Sequence, residues 1–151
     1  MNGKSYKYKV IDLFSGCGGM SWGLQKAGFE TIAGIDNWDI ALKTFKLNHP
    51  DSLIYNTDIR NLEPKKVMSD LNIKRGELDC LVGGPPCQGF SKNVPASIRF
   101  LEDPRNQLFR DYLRFVNGLF PKVLIMENVA EIHNAFGGKV REEIVNALET
   151  M

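Results

Sequence analysis

At 151 residues, 43% hydrophobic and 25% charged, the chain has the make-up of one soluble domain, 1–151, with enough apolar material for a real core. Nineteen basic against eighteen acidic side chains give a net charge of +1, so overall charge does not draw in a polyanion and any nucleic-acid contact falls to local patches. No run approaches the roughly 18 apolar residues of a membrane span, and no sustained apolar segment follows the basic N-terminal stretch, so a cytoplasmic protein without a membrane partner is expected.

Val10, Ile11, Leu13 and Phe14 form an apolar run interrupted only by Asp12 and closed by Ser15-Gly16-Cys17-Gly18-Gly19, a strand followed by a glycine-rich turn. Met20, Leu24 and Ala27 recur at helical spacing with Gly28 at the C′ position, so the turn opens into a short amphipathic helix. Strand, glycine turn and helix make the front of a nucleotide-binding βαβ unit, in which Gly16, Gly18 and Gly19 let the backbone approach a ligand. The dinucleotide spacing is not met, because Ser21 holds the third small position, which counts against a nicotinamide cofactor. Phe29 to Ile35 reads as the second strand and ends at Asp36, twenty positions after Gly16. An acid that far along commonly hydrogen-bonds ribose hydroxyls; an acid after a strand also serves as a helix cap. Trp38, Ala41, Leu42 and Phe45 give a second, mostly core-facing helix, with Asn37 or Trp38 placed to border an adenine ring and ordinary packing the alternative for Trp38.

Leu53-Ile54-Tyr55 is a short third strand followed by Asn56-Thr57-Asp58-Ile59, and Pro64 opens a third helix whose apolar face is Val67, Met68 and Leu71. Leu78, Cys80, Leu81 and Val82 read as a buried parallel strand, stopped by Gly83, Gly84, Pro85 and Pro86. Cys87 then stands just past the carboxyl end of that strand, where open α/β sheets bind ligands. Three cysteines without a CxxC spacing and two histidines argue against a disulfide framework and a zinc site, so no metal is expected. The prolines make a rigid platform that suits a nucleophilic thiol, although an arbitrary cysteine is more often a small buried residue. Gln88 to Asp103 is polar without a sustained period and is expected to act as a lid. Pro104 opens a fourth helix along Leu108, Tyr112, Phe115, Val116 and Leu119, joined by Phe109 and Leu113. Val123 to Met126 is read as a further buried strand, delivering Glu127 and Asn128 to the same sheet edge as Cys87, and Val140, Ile144, Val145 and Leu148 line a last helix.

GGPPCQGFS resembles the catalytic motif of the cytosine-C5 DNA methyltransferases, and FSGCGG and MENV match that family in the same order, so the similarity runs from about Lys9 to about Val129. The resemblance implies a doubly wound α/β fold, a Rossmann-like S-adenosylmethionine-dependent methyltransferase sheet of about five strands in the order 3-2-1-4-5. It implies Phe14, Gly16, Gly18, Gly19, Asp36, Asp58 and Leu108 on the cofactor side, with Asp58 accepting from the adenine amino group and Ile59 packing on the ring. On the catalytic side it implies Cys87 as nucleophile within a loop that includes Pro86 and Ser91, Glu127 at cytosine N3, and Asn128 fixing the loop. Cys17 and Cys80 are left as structural.

The chemistry accounts for those residue types. Cytosine C5 is a poor nucleophile, and a thiolate adding to C6 breaks the ring's aromaticity and makes C5 an enamine carbon. An acid beside N3 lowers the cost of that addition. The activated C5 attacks the sulfonium methyl, and loss of the C5 proton releases the thiolate. In double-stranded DNA the target base must first be flipped out, and the segment with Ser91, Lys92 and Arg99 is the one placed to close on it. Methylation of cytosine in RNA, and a cofactor-binding or assembly subunit without chemistry of its own, are the alternatives. The family's pattern continues beyond MENV with more strands and a target-recognition region that these residues lack. A partner chain supplying the rest, a shortened chain, or self-association through the exposed edge at Val123 to Met126 is therefore expected.

Overall fold

The structure, a computed structural model, describes residues 7–86 and 107–151. Its frame is a parallel sheet of five strands: β1 (Tyr8–Leu13), β2 (Phe29–Asp36), β3 (Leu53–Asn56), β4 (Cys80–Gly83) and β5 (Val123–Met126), in the order β3-β2-β1-β4-β5. This is the order expected from the resemblance. Around it lie α1 (Gly19–Lys26), α2 (Asp39–Asn48), α3 (Pro64–Leu71), α4 (Leu108–Leu119) and α5 (Lys139–Glu149). Parallel strands covered on both faces need continuous rather than alternating apolar runs, which is how β1 and β4 read. Alternate residues of β1 serve opposite layers. Ile11 and Leu13 join the core built with α3 and α4, whereas Val10 packs with Cys80 and Val82 beneath Met20 and Leu24 of α1. The strand order reverses between β1 and β4, and that switch point opens a crevice at the carboxyl ends of both.

Several elements differ in detail from the sequence reading. In α1 the fully buried position is Ser21, while Ala27 is an exposed cap residue beside Gly28 at φ 91. Closest approach to the sheet falls on the small polar residue because it meets a carboxylate there. Trp38 is not core packing: it sits at the N-cap of α2, 60% exposed, and Ala41, Leu42 and Phe45 carry the burial. The strand expected to be buried, β5, has one open face, with Val123 56% and Ile125 43% exposed. Leu124 and Met126 face the core, and β5 pairs only with β4 among the described residues. In α5, Val140 is buried but Val145 is exposed. The start expected at Pro104 lies outside the described residues.

Asp12, the next-to-last residue of β1, is fully buried. The Ser21 hydroxyl donates to its Oδ2 at 2.6 Å, and Oδ1 has no partner among the described residues. Burial, the largest influence, pushes its carboxyl from about 3.8 up to about 6, with Asp36 adding like-charge repulsion and the Ser21 bonds opposing the shift. The folded state therefore binds the proton more tightly than the unfolded chain. The resulting stability is fully present below about pH 3.8 and is lost as pH rises through about 6. At about 1.4 kcal/mol per pH unit the effect is about 3 kcal/mol. As pH rises from 4 to 8 the unaltered protein should lose stability, measured by denaturation, relative to Asp12→Asn by an amount of that order, a comparison in which the opposing contribution of His49, whose pKa burial lowers, is common to both. An identical slope in the variant would remove Asp12 as the source.

Candidate active site

β1 leaves the sheet through Phe14, whose φ of 57 is the left-handed region that a bulky residue occupies at a cost of about 1–2 kcal/mol. The turn is held by Ser15 N–H donating to Ile35 O at 3.0 Å and Gly18 N–H to Ser15 O at 2.8 Å. Gly16 N–H and Trp38 N–H then donate to the two oxygens of Asp36, at 2.8 and 2.9 Å. Asp36 thus ties the glycine turn to Trp38, the N-cap residue of α2, which has no side-chain cap of its own, while also facing the crevice. Gly18, at φ 87, also carries a packing constraint. A Cβ there would lie 2.8 Å from the Phe45 ring and 3.1 Å from His49, so helix packing, in addition to backbone conformation, demands the glycine. His49, the aromatic Phe45 and Trp22 form a cluster behind the turn, and burial lowers the His49 pKa.

The crevice is a cavity of about 350 Å³, within the range of small-molecule sites. Its wall comprises Phe14, Ile35, Asp36, Asn37, Thr57, Asp58, Ile59, Arg60, Gly84, Pro86 and Leu108. Of the residues expected on the cofactor side, Phe14, Asp36, Asn37, Asp58, Ile59 and Leu108 are brought together here, whereas Gly16, Gly18, Gly19 and Trp38 are not on the wall. Asp58 caps a 3-10 turn over Ile59–Asn61, accepting from the main-chain N–H of Arg60 at 2.9 Å and from its guanidinium. Hydrogen bonding from Arg60 holds the Asp58 carboxyl below its usual range. Arg114 of α4 fixes the turn from below, donating to Ile59 O at 2.7 Å and Leu62 O at 2.9 Å. Apolar slabs from Phe14, Ile35, Ile59 and Leu108 beside two carboxylate acceptors suit a flat ligand rich in donors, as a nucleoside is through its ribose hydroxyls and amino group.

The other half of the site is built by β4 and β5. Glu127 N–H donates to Gly83 O at 3.0 Å, and its carboxylate lies against Gly84, where a Cβ would approach Oε2 to 3.1 Å. Asn128 Nδ2 donates to Pro85 O at 2.9 Å, and its Oδ1 accepts from Val129 N–H at 2.9 Å. The Tyr112 hydroxyl, beneath the sheet, is shared between Leu81 O and Ile125 O at 3.1 Å each and ties the two strands together. Glu127, Asn128 and the Pro85-Pro86 platform are therefore held in one assembly. Cys87, Ser91, Lys92, Arg99 and the rest of the expected lid lie outside the described residues. Ile35, Thr57, Arg60 and Gly84 were missed on the wall, and Tyr112 and Arg114 as its supports. Ile35 and Thr57 adjoin the two acids that were singled out, whereas nothing in the spacing marks Arg60 or Arg114.

The sequence model of the family described as C-5 cytosine-specific DNA methylase matches residues 8–151. The type II methyltransferase M.AgeI of Thalassovita gelatinovora is 40% identical over 143 residues, covering 95% of this chain and 33% of its own. A crystal structure of a putative DNA modification methyltransferase encoded within a prophage of E. coli superposes with a TM-score of 0.80 at 33% identity, over 95% of this chain and 38% of that one. A Spodoptera frugiperda DNMT2 variant gives 0.68 at 29% identity, over 95% of this chain and 41% of that one. The chain thus spans between 33% and 41% of the length of these relatives.

Proposed function

Because the chain belongs to the C-5 cytosine-specific DNA methylase family, we propose that it carries the cofactor-binding and catalytic part of an enzyme that methylates C5 of a cytosine flipped out of double-stranded DNA. The observation that carries this reading is the meeting, at one switch point, of an acid-and-apolar cavity with the Pro85-Pro86 platform that Asn128 and Glu127 hold. The family and its fold use S-adenosylmethionine, which when bound supplies an electrophilic sulfonium methyl. Asp36 would accept from its ribose hydroxyls and Asp58 from its amino group, with Phe14, Ile59 and Leu108 against the ring and Asn37 at its border. Cys87 adds to cytosine C6 as thiolate and leaves again once the C5 proton is lost. Glu127 faces N3 and stabilises the charge that addition pushes into the ring, and Asn128 keeps the platform in register with it. Pro86 and Ser91 belong to the loop around the nucleophile, and Lys92 and Arg99 would contact phosphates. The open face of β5 supports a further part of the reading, that additional protein covers this edge in the working enzyme.

Calorimetry with S-adenosylmethionine tests the cofactor half. Asp36→Ala should weaken binding by about 1–3 kcal/mol, the scale of a lost hydrogen bond to a charged group. Thermal melting separates this loss from disturbance of the Gly16 and Trp38 contacts that Asp36 also holds. Unchanged affinity in a folded variant would take Asp36 out of the site. Transfer of labelled methyl groups to double-stranded DNA and to RNA, side by side, tests the substrate half, with RNA as the preferred acceptor the overturning result.

A further inference from the structure

Arg60 stands on the cavity wall beside Asp58, and its contacts use the acceptor capacity of that carboxylate. Oδ1 of Asp58 accepts from the Arg60 main-chain N–H and from Nε, both at 2.9 Å; Oδ2 accepts from Nε at 3.1 Å and from Nη2. An ionised carboxylate offers about four lone-pair positions, so a ligand amino group docking on Asp58 has to share or displace a guanidinium contact. Displacement is cheap. The Arg60 side chain is 54% exposed, and exposed ion pairs contribute little. The main-chain N–H, which caps the 3-10 turn, does not depend on the side chain and keeps Asp58 aimed when the guanidinium moves.

We propose that Arg60 is a specificity-determining residue of the cavity: paired with Asp58, its guanidinium makes that corner of the wall a donor as well as an acceptor, so that a 6-oxo purine nucleoside binds nearly as well as a 6-amino one. This rests on the reading that Asp58 faces the base. A 6-amino group takes an Asp58 oxygen as the guanidinium yields. A 6-oxo group, which a bare carboxylate would repel, accepts instead from Nη2, while Nε and the main-chain N–H stay on Asp58. The donor and acceptor thus exchange partners within one exposed pair, with no rearrangement of the turn.

The test compares the dissociation constants of S-adenosylhomocysteine and S-inosylhomocysteine by calorimetry for the unaltered protein, Arg60→Ala and Asp58→Asn. The unaltered protein should bind the two within about fivefold of each other, since either six-position group finds a partner at the wall. Arg60→Ala should leave the adenosyl compound bound and weaken the inosyl compound, raising the adenosyl preference on the order of tenfold. Asp58→Asn retains an oxygen for the cap but puts a donor at the wall, and should lower that preference. An Arg60→Ala ratio equal to that of the unaltered protein overturns the inference. If Asp58→Asn shifts the ratio and Arg60→Ala does not, the Arg60 inference alone fails; if neither shifts it, Asp58 does not face the base and the underlying reading fails as well.

Discussion

Cys87→Ala is expected to abolish methyl transfer, a fall on the order of a thousandfold or more, the scale seen when an enzyme loses its nucleophile. The expectation follows from the chemistry of the ring and from the lack of a substitute sulfur. Without addition at C6, C5 has no enamine character and does not attack the methyl group. Cys80 is buried within β4, and burial pushes its thiol up to about 11, so it is neither accessible nor ionised near neutral pH. Cys17 is exposed on the glycine turn and is not on the cavity wall. A duplex with 5-fluorocytosine at the target should form a covalent adduct with the unaltered enzyme, because fluorine does not leave as the proton does. The alanine variant should form no adduct yet bind S-adenosylmethionine with unchanged affinity, since the side chains assigned to the cofactor come from the ends of β1 and β2, the 3-10 turn and the start of α4. Methylation at the unaltered rate by the variant would rule out the covalent route through Cys87.

The parts of the fold legible in the sequence were those set by local rules. The runs around Val10 and Leu81 are apolar without alternation because both faces are covered, and Gly28 ends α1 through its own φ of 91. The strand order came with the resemblance, not from the periodicity. What escaped depends on residues distant in the chain. Gly34 gives way to the Phe45 ring, whose nearest atom would lie 2.4 Å from a Cβ, and the same ring excludes a side chain at Gly18. An isolated reading of the glycine turn sees only its openness to a ligand. Ser21 counted against a dinucleotide fingerprint, yet its hydroxyl is the donor that meets Asp12 inside the sheet. Tyr112 and Arg114 were legible as members of a helix, but the carbonyls they bond belong to β4, β5 and the 3-10 turn. Exposure of Val123, Ile125 and Val145 likewise depends on what covers a strand or helix, which periodicity does not record. For the cavity, acids at strand ends were visible one by one. Their convergence with Phe14 and Leu108 is a property of the switch point.

Glu127→Gln tests the remaining chemical assignment, and is expected to lower kcat by about a hundredfold to ten-thousandfold, the usual contribution of a positioned acid. The geometry makes the substitution a clean one. Glu127 is anchored by its main-chain N–H to Gly83 O, and Asn128 holds the neighbouring loop to Pro85 O, so neither anchor needs the carboxylate. Glutamine matches glutamate in shape and still presents a donor to cytosine N3, but it carries no proton to give up as the thiolate adds. Addition should therefore slow while binding persists. Affinity for S-adenosylmethionine should be unchanged because Glu127 is not on the wall of the cavity proposed to hold it. Formation of the 5-fluorocytosine adduct should fall by a factor similar to kcat, which places the defect at addition at C6 and not at cofactor binding or product release. A variant that forms the adduct at the unaltered rate and turns over normally would show that the charge at N3 is stabilised by another group.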